Sequence, residues 1–429
     1  MLSRMAVVAL LAAAGVSAPQ PPQPAPRLSS FDRGNSLSML KMIKEDLTKN
    51  YYDPTFHGVD IEKKAADAAE RLKTAASVGE ASAILADVLL QLDDSHTKFV
   101  PPERLTRVEY GWAVTMIGDA PLVTWVKKGS DAERKGLAVG DRVLAWNRFG
   151  PTRANLWQIY YVYRHIRPQQ LQRVIVRKPD GVEKTIDIES QVQERPAGNL
   201  EELIREWDDD RRTAFDYEKP VGDTLVVSLS SFGDPKDIER FMKKARGYKS
   251  LVLDLRGNGG GLVVAIDMLV SWCVDRDVKI GIEKTRKGDE PEIARGRKDA
   301  YAGRIVVLVD SRSASASEVT ARVMQIEKRG TVIGDRSAGA VMTSRFFSHT
   351  LGQELYGIGS VAFFGTNITV ADLQMSDGGR LEKVGVTPDE TVLPTGADLA
   401  AGRDPVLARA ITLLGGTMTA EEAGRFYRQ

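Results

Sequence analysis

Ile305-Val306-Val307-Leu308-Val309-Asp310-Ser311-Arg312-Ser313-Ala314-Ser315-Ala316-Ser317-Glu318 is the stretch from which the fold of this chain is read. Residues 305–309 form an apolar run with the length and β-branched content of a buried strand. Val319, Val323 and Ile326 follow at helical spacing. The unit is therefore a strand, a tight turn and the start of a helix. Small residues at such a turn let the backbone bend sharply, lift a hydroxyl into solvent and leave helix-terminal N–H groups facing whatever approaches. A hydroxyl beside free N–H donors suits acyl transfer, in which the nucleophile attacks a carbonyl and the donors stabilise the oxyanion. Serine also caps helices well, so the stretch taken alone is explained by capping too.

A second stretch, Leu251-Val252-Leu253-Asp254-Leu255-Arg256-Gly257-Asn258-Gly259-Gly260-Gly261, reads as another buried strand running into four glycines. Glycine permits positive φ and close approach of backbone to a ligand. Together the two stretches resemble the C-terminal processing (tail-specific) peptidases and their tricorn-type relatives. In that family the loop matching Asp254–Gly261 supplies oxyanion donors, and the middle serine of Ser-Ala-Ser-Ala-Ser-Glu is the nucleophile. The resemblance places the nucleophile at Ser315 and the oxyanion N–H groups at Gly259 or Gly260 and at Ala316.

The chain has 429 residues, 42% of them hydrophobic, enough for two or three domains. Lys and Arg number 59 against 58 acidic residues. That balance gives no reason to expect nucleic acid or an anionic membrane as partner. The single cysteine, Cys273, cannot form an internal disulfide, and no Cys/His cluster has metal-ligand spacing, so neither a metal nor an organic cofactor is expected. Met1 to Arg4, the apolar run Met5 to Val16 and the small residues Val16-Ser17-Ala18 read as a secretory signal over 1–18. A Pro-rich linker follows over 19–27. The expectation is a secreted or periplasmic protein with no integral membrane segment once the signal is cleaved; the alternative is an anchor that is kept.

From 28 to 107 apolar residues recur at helical spacing (Leu37, Leu40, Ile43, Leu47, then Ile84, Val88, Leu92), which predicts an N-terminal helical domain ending in Leu92-Asp93-Asp94-Ser95-His96. From 108 to 190 the signals change to short strands and turns. Gly136-Leu137-Ala138-Val139-Gly140-Asp141-Arg142-Val143 resembles the centre of a PDZ domain. By that resemblance Tyr110-Gly111-Trp112-Ala113 is a carboxylate-binding loop, and the module adds a peptide C-terminus as a strand at a sheet edge. The alternative is a β domain that merely packs on the core. Residues 191–220 read as a charged connector, with Glu201 to Arg212 a solvated helix.

The core, 221–429, alternates strand-like runs at 224–229, 251–255, 305–309 and 331–333 with helical stretches at 235–246, 262–274 and 316–329. Ligand sites in such sheets lie at the C-terminal ends of the strands. Residues 398–414 read as one closing helix, and Gly385-Val386 as a strand. The overall expectation is a multidomain α/β chain: helical domain, PDZ-like β domain, and the α/β (crotonase-like ββα) peptidase core that the resemblance implies.

Ser-Lys members of the family carry a lysine base downstream of the nucleophile; here Gly334-Asp335-Arg336-Ser337-Ala338-Gly339-Ala340 leaves Ala340 in its place. Alanine accepts no proton. The tricorn-type branch uses a Ser-His-Ser-Glu tetrad instead, and the resemblance then assigns the base to His96, with Ser95 and Glu382 orienting it. Asp93 and Asp94 are weaker alternatives for the orienting group. The implied activity is that of a serine endopeptidase acting on unfolded or tail-exposed polypeptides. The rival is a catalytically silent peptide- or apolar-ligand-binding module, since the interphotoreceptor retinoid-binding protein shares the core fold.

Overall fold

The computed structural model describes residues 28–102, 104, 106–194, 217–352 and 362–426. The expected signal, the Pro-rich linker and the charged helix 201–212 lie outside the described residues.

The central sheet is ordered β18-β15-β14-β11-β10-β9. Its parallel strands are β10 (Thr224–Ser228), β11 (Ser250–Asp254), β14 (Arg304–Val309), β15 (Thr331–Gly334) and β18 (Glu390–Thr391), while β9 (Tyr217–Val221) runs antiparallel at one edge. Successive residues of these strands point to opposite faces. Leu225, Val227, Leu251, Leu253, Ile305, Val307 and Val309 pack with α6 (Pro235–Ala245), α7 (Val263–Cys273) and α8 (Ala316–Ile326). Val226, Val252, Val306, Leu308 and Ile333 pack instead with α10 (Pro405–Leu413) and α11 (Ala420–Phe426). Both faces are covered, so the strands read as unbroken apolar runs. The expected closing helix over 398–414 is two helices. The first, α9 (Gly396–Ala401), ends on Gly402 in the left-handed conformation, and Asp404 caps the second ahead of Pro405.

A second sheet, not foreseen from the sequence, runs β1-β17-β12-β13, with β16 also paired to β17. Its strands are β1 (Lys98–Val100), β12 (Val278–Thr285), β13 (Gly288–Ala294), β16 (Met342–Leu351) and the long β17 (Ala362–Met375). The N-terminal helices α1 (Ser30–Asn50), α2 (Ile61–Thr74) and α3 (Val78–Leu90) share one hydrophobic cluster with Phe364 and Ile368 of β17. The expected helical region is present, and it packs on β17 of this sheet. No helix among the described residues is long and apolar enough to cross a membrane.

Residues 112–189 form an antiparallel sheet, β3 (Trp112–Ile117), β4 (Ala120–Val126), β5 (Arg142–Trp146), β6 (Leu171–Arg177) and β7 (Glu183–Glu189), in that spatial order. It holds the short α4 (Asp131–Arg134) and α5 (Leu156–Tyr160), the latter continuing as a π-helical turn to Ile166. A ribbon of β2 (Thr106–Glu109) and β8 (Gln191–Glu194) joins its two ends. The module touches the core beside the 311–318 turn: Ser311 Oγ donates to the Met116 carbonyl (2.5 Å), and Gly118 N–H and Arg153 both reach Asp335 (2.9 and 2.5 Å).

Candidate active site

Ser95 and His96 occupy the turn between α3 and β1. Asp94 shapes that turn, its carboxylate accepting the N–H groups of His96 (2.9 Å) and Thr97 (2.6 Å) and the hydroxyls of Thr369 and Tyr51 (2.9 Å each). Pairing of Lys98 with Asn367 then fixes the outgoing strand, and Asn367 Nδ2 donates to the His96 carbonyl (2.9 Å). Asp94 is consequently a backbone staple and Asp93 an ion-pair partner of Lys383, so the two alternatives weighed for the orienting group have other contacts.

The imidazole is met by a different line. Its Nδ1 lies 2.7 Å from Ser95 Oγ, which donates to Glu382 Oε2 (2.8 Å); Oε1 accepts the Ser95 N–H (2.8 Å) and Oε2 also the Val341 N–H (2.9 Å). Ser95 and Glu382 are 287 positions apart in sequence. Burial pushes the Glu382 carboxyl up from its ordinary value, and the bonds from Ser95 and Val341 oppose the shift. A polarity follows. With Oε2 accepting the Ser95 proton, Ser95 Oγ is an acceptor toward the ring, so Nδ1 carries hydrogen and Nε2 keeps its lone pair. Glu382 itself stands in an irregular turn, and the strand expected at Gly385-Val386 is irregular too: Val386 N–H donates to Ser337 Oγ (2.6 Å).

Ser315 is the N-cap of α8 at φ 54°, ψ −116°, a conformation that costs a non-glycine residue about 1–3 kcal/mol and persists only where its surroundings enforce it. Its N–H donates to the Ala340 carbonyl (2.9 Å) and, more weakly, to Glu318 Oε2 (3.1 Å). Gly260, at φ +107°, lies directly on this turn: a Cβ there would stand 2.6 Å from Ser315 Cβ and 3.1 Å from the Ala316 nitrogen. Only glycine lets the loop approach so closely. Asn258 locks the two together, its carbonyl accepting the Ala314 N–H and the Ser317 hydroxyl (2.9 Å each).

The Gly260 N–H donates to Asn258 Oδ1 (2.8 Å), a bond within its own loop. Gly259 or Gly260, with Ala316, remain the candidate oxyanion donors, and of these the Gly260 N–H already has an acceptor. Ala316 is the first residue of α8, where N–H groups have no intrahelical acceptor. The segment Ala340-Val341 ties the halves together, since the Ala340 carbonyl holds the Ser315 N–H while the Val341 N–H holds Glu382.

In the antiparallel module, Tyr110 and Trp112 are buried, Tyr110 donating to the Tyr163 carbonyl and Trp112 packing on Trp146 at 4.8 Å. In the expected loop Tyr110-Gly111-Trp112-Ala113 the side chains of Tyr110 and Trp112 belong to the module's core, while Ala113 is half-buried. Strand β3 is the edge of its sheet. Its Val114 has its N–H and its carbonyl both bonded to the Tyr160 hydroxyl (2.8 Å each). Sequence reasoning passed over Tyr160, Asn258 and Glu318. The pattern Ser315-x-x-Glu318 at a helix start was a usable signal for the last.

Among the described residues, no group of three or more His, Cys, Asp and Glu side chains could hold a metal ion. What the arrangement offers is a serine at a strained strand–helix turn, an imidazole whose Nδ1 meets an oriented hydroxyl, and helix-terminal N–H donors, the equipment of acyl transfer.

Residues 223–392 match peptidase family S41. The chain is 25% identical over 328 residues to a chloroplastic C-terminal processing peptidase of Tetradesmus obliquus, covering 72% of this chain and 68% of the relative. It is 24% identical over 358 residues to a carboxyl-terminal-processing protease of Synechocystis sp., covering 77% and 76%. Among solved structures, mature CPAF complexed with lactacystin superposes with a TM-score of 0.64 at 14% identity, over 86% of this chain and 96% of that one, a likeness of fold. The class is therefore that of a serine-type peptidase. The family match lies in the core, and the chain is similar to the C-terminal processing proteases.

Proposed function

We propose that the protein is an endopeptidase in which Ser315 attacks the scissile carbonyl and His96 is the general base, held by Ser95 and Glu382. The supporting observation is the continuous line from Glu382 through Ser95 to His96 Nδ1, attached through Ala340-Val341 to the backbone of Ser315. The Ser315 proton passes to Nε2 as Oγ bonds to the carbonyl carbon. The N–H groups of Gly259 and Ala316 receive the oxyanion. Collapse breaks the C–N bond, the imidazolium returns the proton to the leaving amine, and a water molecule activated by the same imidazole releases the acyl group. Glu382, ionised, stabilises the imidazolium through Ser95.

The antiparallel module is read as PDZ-like, and the substrates as unfolded or C-terminally exposed polypeptides whose tails add along the β3 edge. Export to the periplasm or medium accords with the leader-like 1–18. The test is incubation of the protein with a denatured polypeptide of known sequence and mapping of the cuts by mass spectrometry. Internal cuts that vanish in Ser315→Ala support the reading. Binding without cleavage would favour the silent module.

A further inference from the structure

Glu318 is buried outright, yet it is not a member of the tetrad. Its carboxylate has four donors around it and no cation among them. Oε1 accepts the Ser337 hydroxyl (2.6 Å) and the Gly339 N–H (2.8 Å); Oε2 accepts the N–H groups of Ala340 (2.8 Å) and of Ser315 itself (3.1 Å). Ser337 Oγ receives the Val386 N–H in turn, which draws the segment following Glu382 into the same knot. We infer that Glu318 is a positioning residue for the Ser315 reaction: it clamps the 337–340 loop to the nucleophile turn, and so holds Ser315 in its strained conformation in register with the Glu382–Ser95–His96 line.

Three observations carry this. A buried carboxyl is costly, and this one is offset only by donors, so each of its oxygens is fixed by two hydrogen bonds. Every donor belongs either to the Ser315 turn or to the loop that carries Ala340 and leads into Val341, the two backbone groups that join the nucleophile to the base line. The left-handed φ of Ser315 further requires a partner that enforces it. Ala340 brings no charged side chain to this point of the loop, and Glu318 adds three hydrogen bonds to the backbone contacts that hold it. Burial pushes the Glu318 carboxyl up to about 7, with the four donors opposing.

The inference rests on Ser315 being the nucleophile, so the experiment separates the two. Full-length wild type, Glu318→Gln, Ser337→Ala and Ser315→Ala are compared for kcat and KM on denatured casein and for the rate of labelling by a fluorophosphonate probe. Gln is isosteric but presents an N–H₂ to donors at one oxygen position. The expected result for Glu318→Gln is a fall in kcat of about 100-fold with KM kept within about two-fold, and labelling slowed by the same factor, as a small misplacement of a reacting group produces. Ser315→Ala is expected to lose both turnover and label. Wild-type kcat in Glu318→Gln, or a change confined to KM, beside a dead Ser315→Ala overturns the Glu318 role alone. Retained activity in Ser315→Ala overturns the nucleophile assignment and this inference with it. Should Glu318→Gln not fold, Ser337→Ala decides: about a ten-fold loss in kcat at constant KM supports the clamp, and unchanged kcat overturns it.

Discussion

Replacing Glu382 by glutamine tests the polarity of the base line. The amide can sit in two ways. With Nε2 in place of Oε2 it faces the Val341 N–H and reverses the Ser95 hydroxyl, which then donates to Nδ1 and leaves the proton on Nε2, where no base remains. With Nε2 in place of Oε1 it opposes only the Ser95 N–H and keeps the hydroxyl's direction. The second arrangement strands one donor and is the milder, so it predominates. It still replaces a charged acceptor with a neutral one, a loss of about 1.5–3 kcal/mol, and any share of the reversed form adds the wrong-tautomer penalty, about 10⁴-fold in the serine-protease triad. The expected outcome is kcat reduced by about 10²–10³-fold with KM little changed, measured on a quenched fluorescent polypeptide and accompanied by an unchanged circular dichroism spectrum. A folded Glu382→Gln protein with wild-type kcat would refute the orienting role.

Three further outcomes follow from the geometry. The raised Glu318 value means that its protonated form favours the fold: the contribution is complete below the ordinary 4.5 and is lost as pH rises through about 7. Urea unfolding of wild type and Glu318→Gln should therefore show stability differences that change by about 3 kcal/mol between pH 4 and pH 8, and parallel pH curves would contradict the burial argument. Tyr160→Phe removes the hydroxyl that holds both polar groups of Val114, so the β3 edge should bind a C-terminal peptide about five-fold more tightly by calorimetry; unchanged or weaker binding would count against strand addition at that edge. Gly260→Ala drives a methyl group into Ser315 and forces a residue with a side chain to φ +107°; it should abolish labelling of Ser315, and a fully labelled variant would show that the loop does not rest on the turn as described.

The parallel core was readable because its strands are buried on both faces, and the same five-residue apolar runs that fill the two helix layers stand out in the sequence. The long strand β17 was not, although its partners include both β1 and β16. Its residues, Phe364 and Ile368 among them, pack on helices from the other end of the chain, and no local period announces that layer. The break at Gly402 was signalled by a glycine followed by Asp404-Pro405, a C-cap and then an N-cap with proline, which the apolar spacing of Val406, Leu407 and Ala410 obscured. Ser95, His96 and Glu382 came from a family resemblance, since neither spacing nor composition could join residues 287 apart. The bond from the Gly260 N–H to Asn258 and the capture of Val114 by Tyr160 are matters of where single N–H groups point. Such directions emerge only once the loops are packed.

The direct test of the central claim is the site and pH dependence of covalent labelling. With the fluorophosphonate adduct mapped by mass spectrometry, wild type should carry one label, on Ser315, formed at a rate that falls on acidification because a protonated imidazole cannot accept the Ser315 proton. In His96→Ala the label should form at least about 100-fold more slowly with no such pH dependence. A label on a different serine, or equal rates in the two proteins, would contradict the assignment of Ser315 and His96.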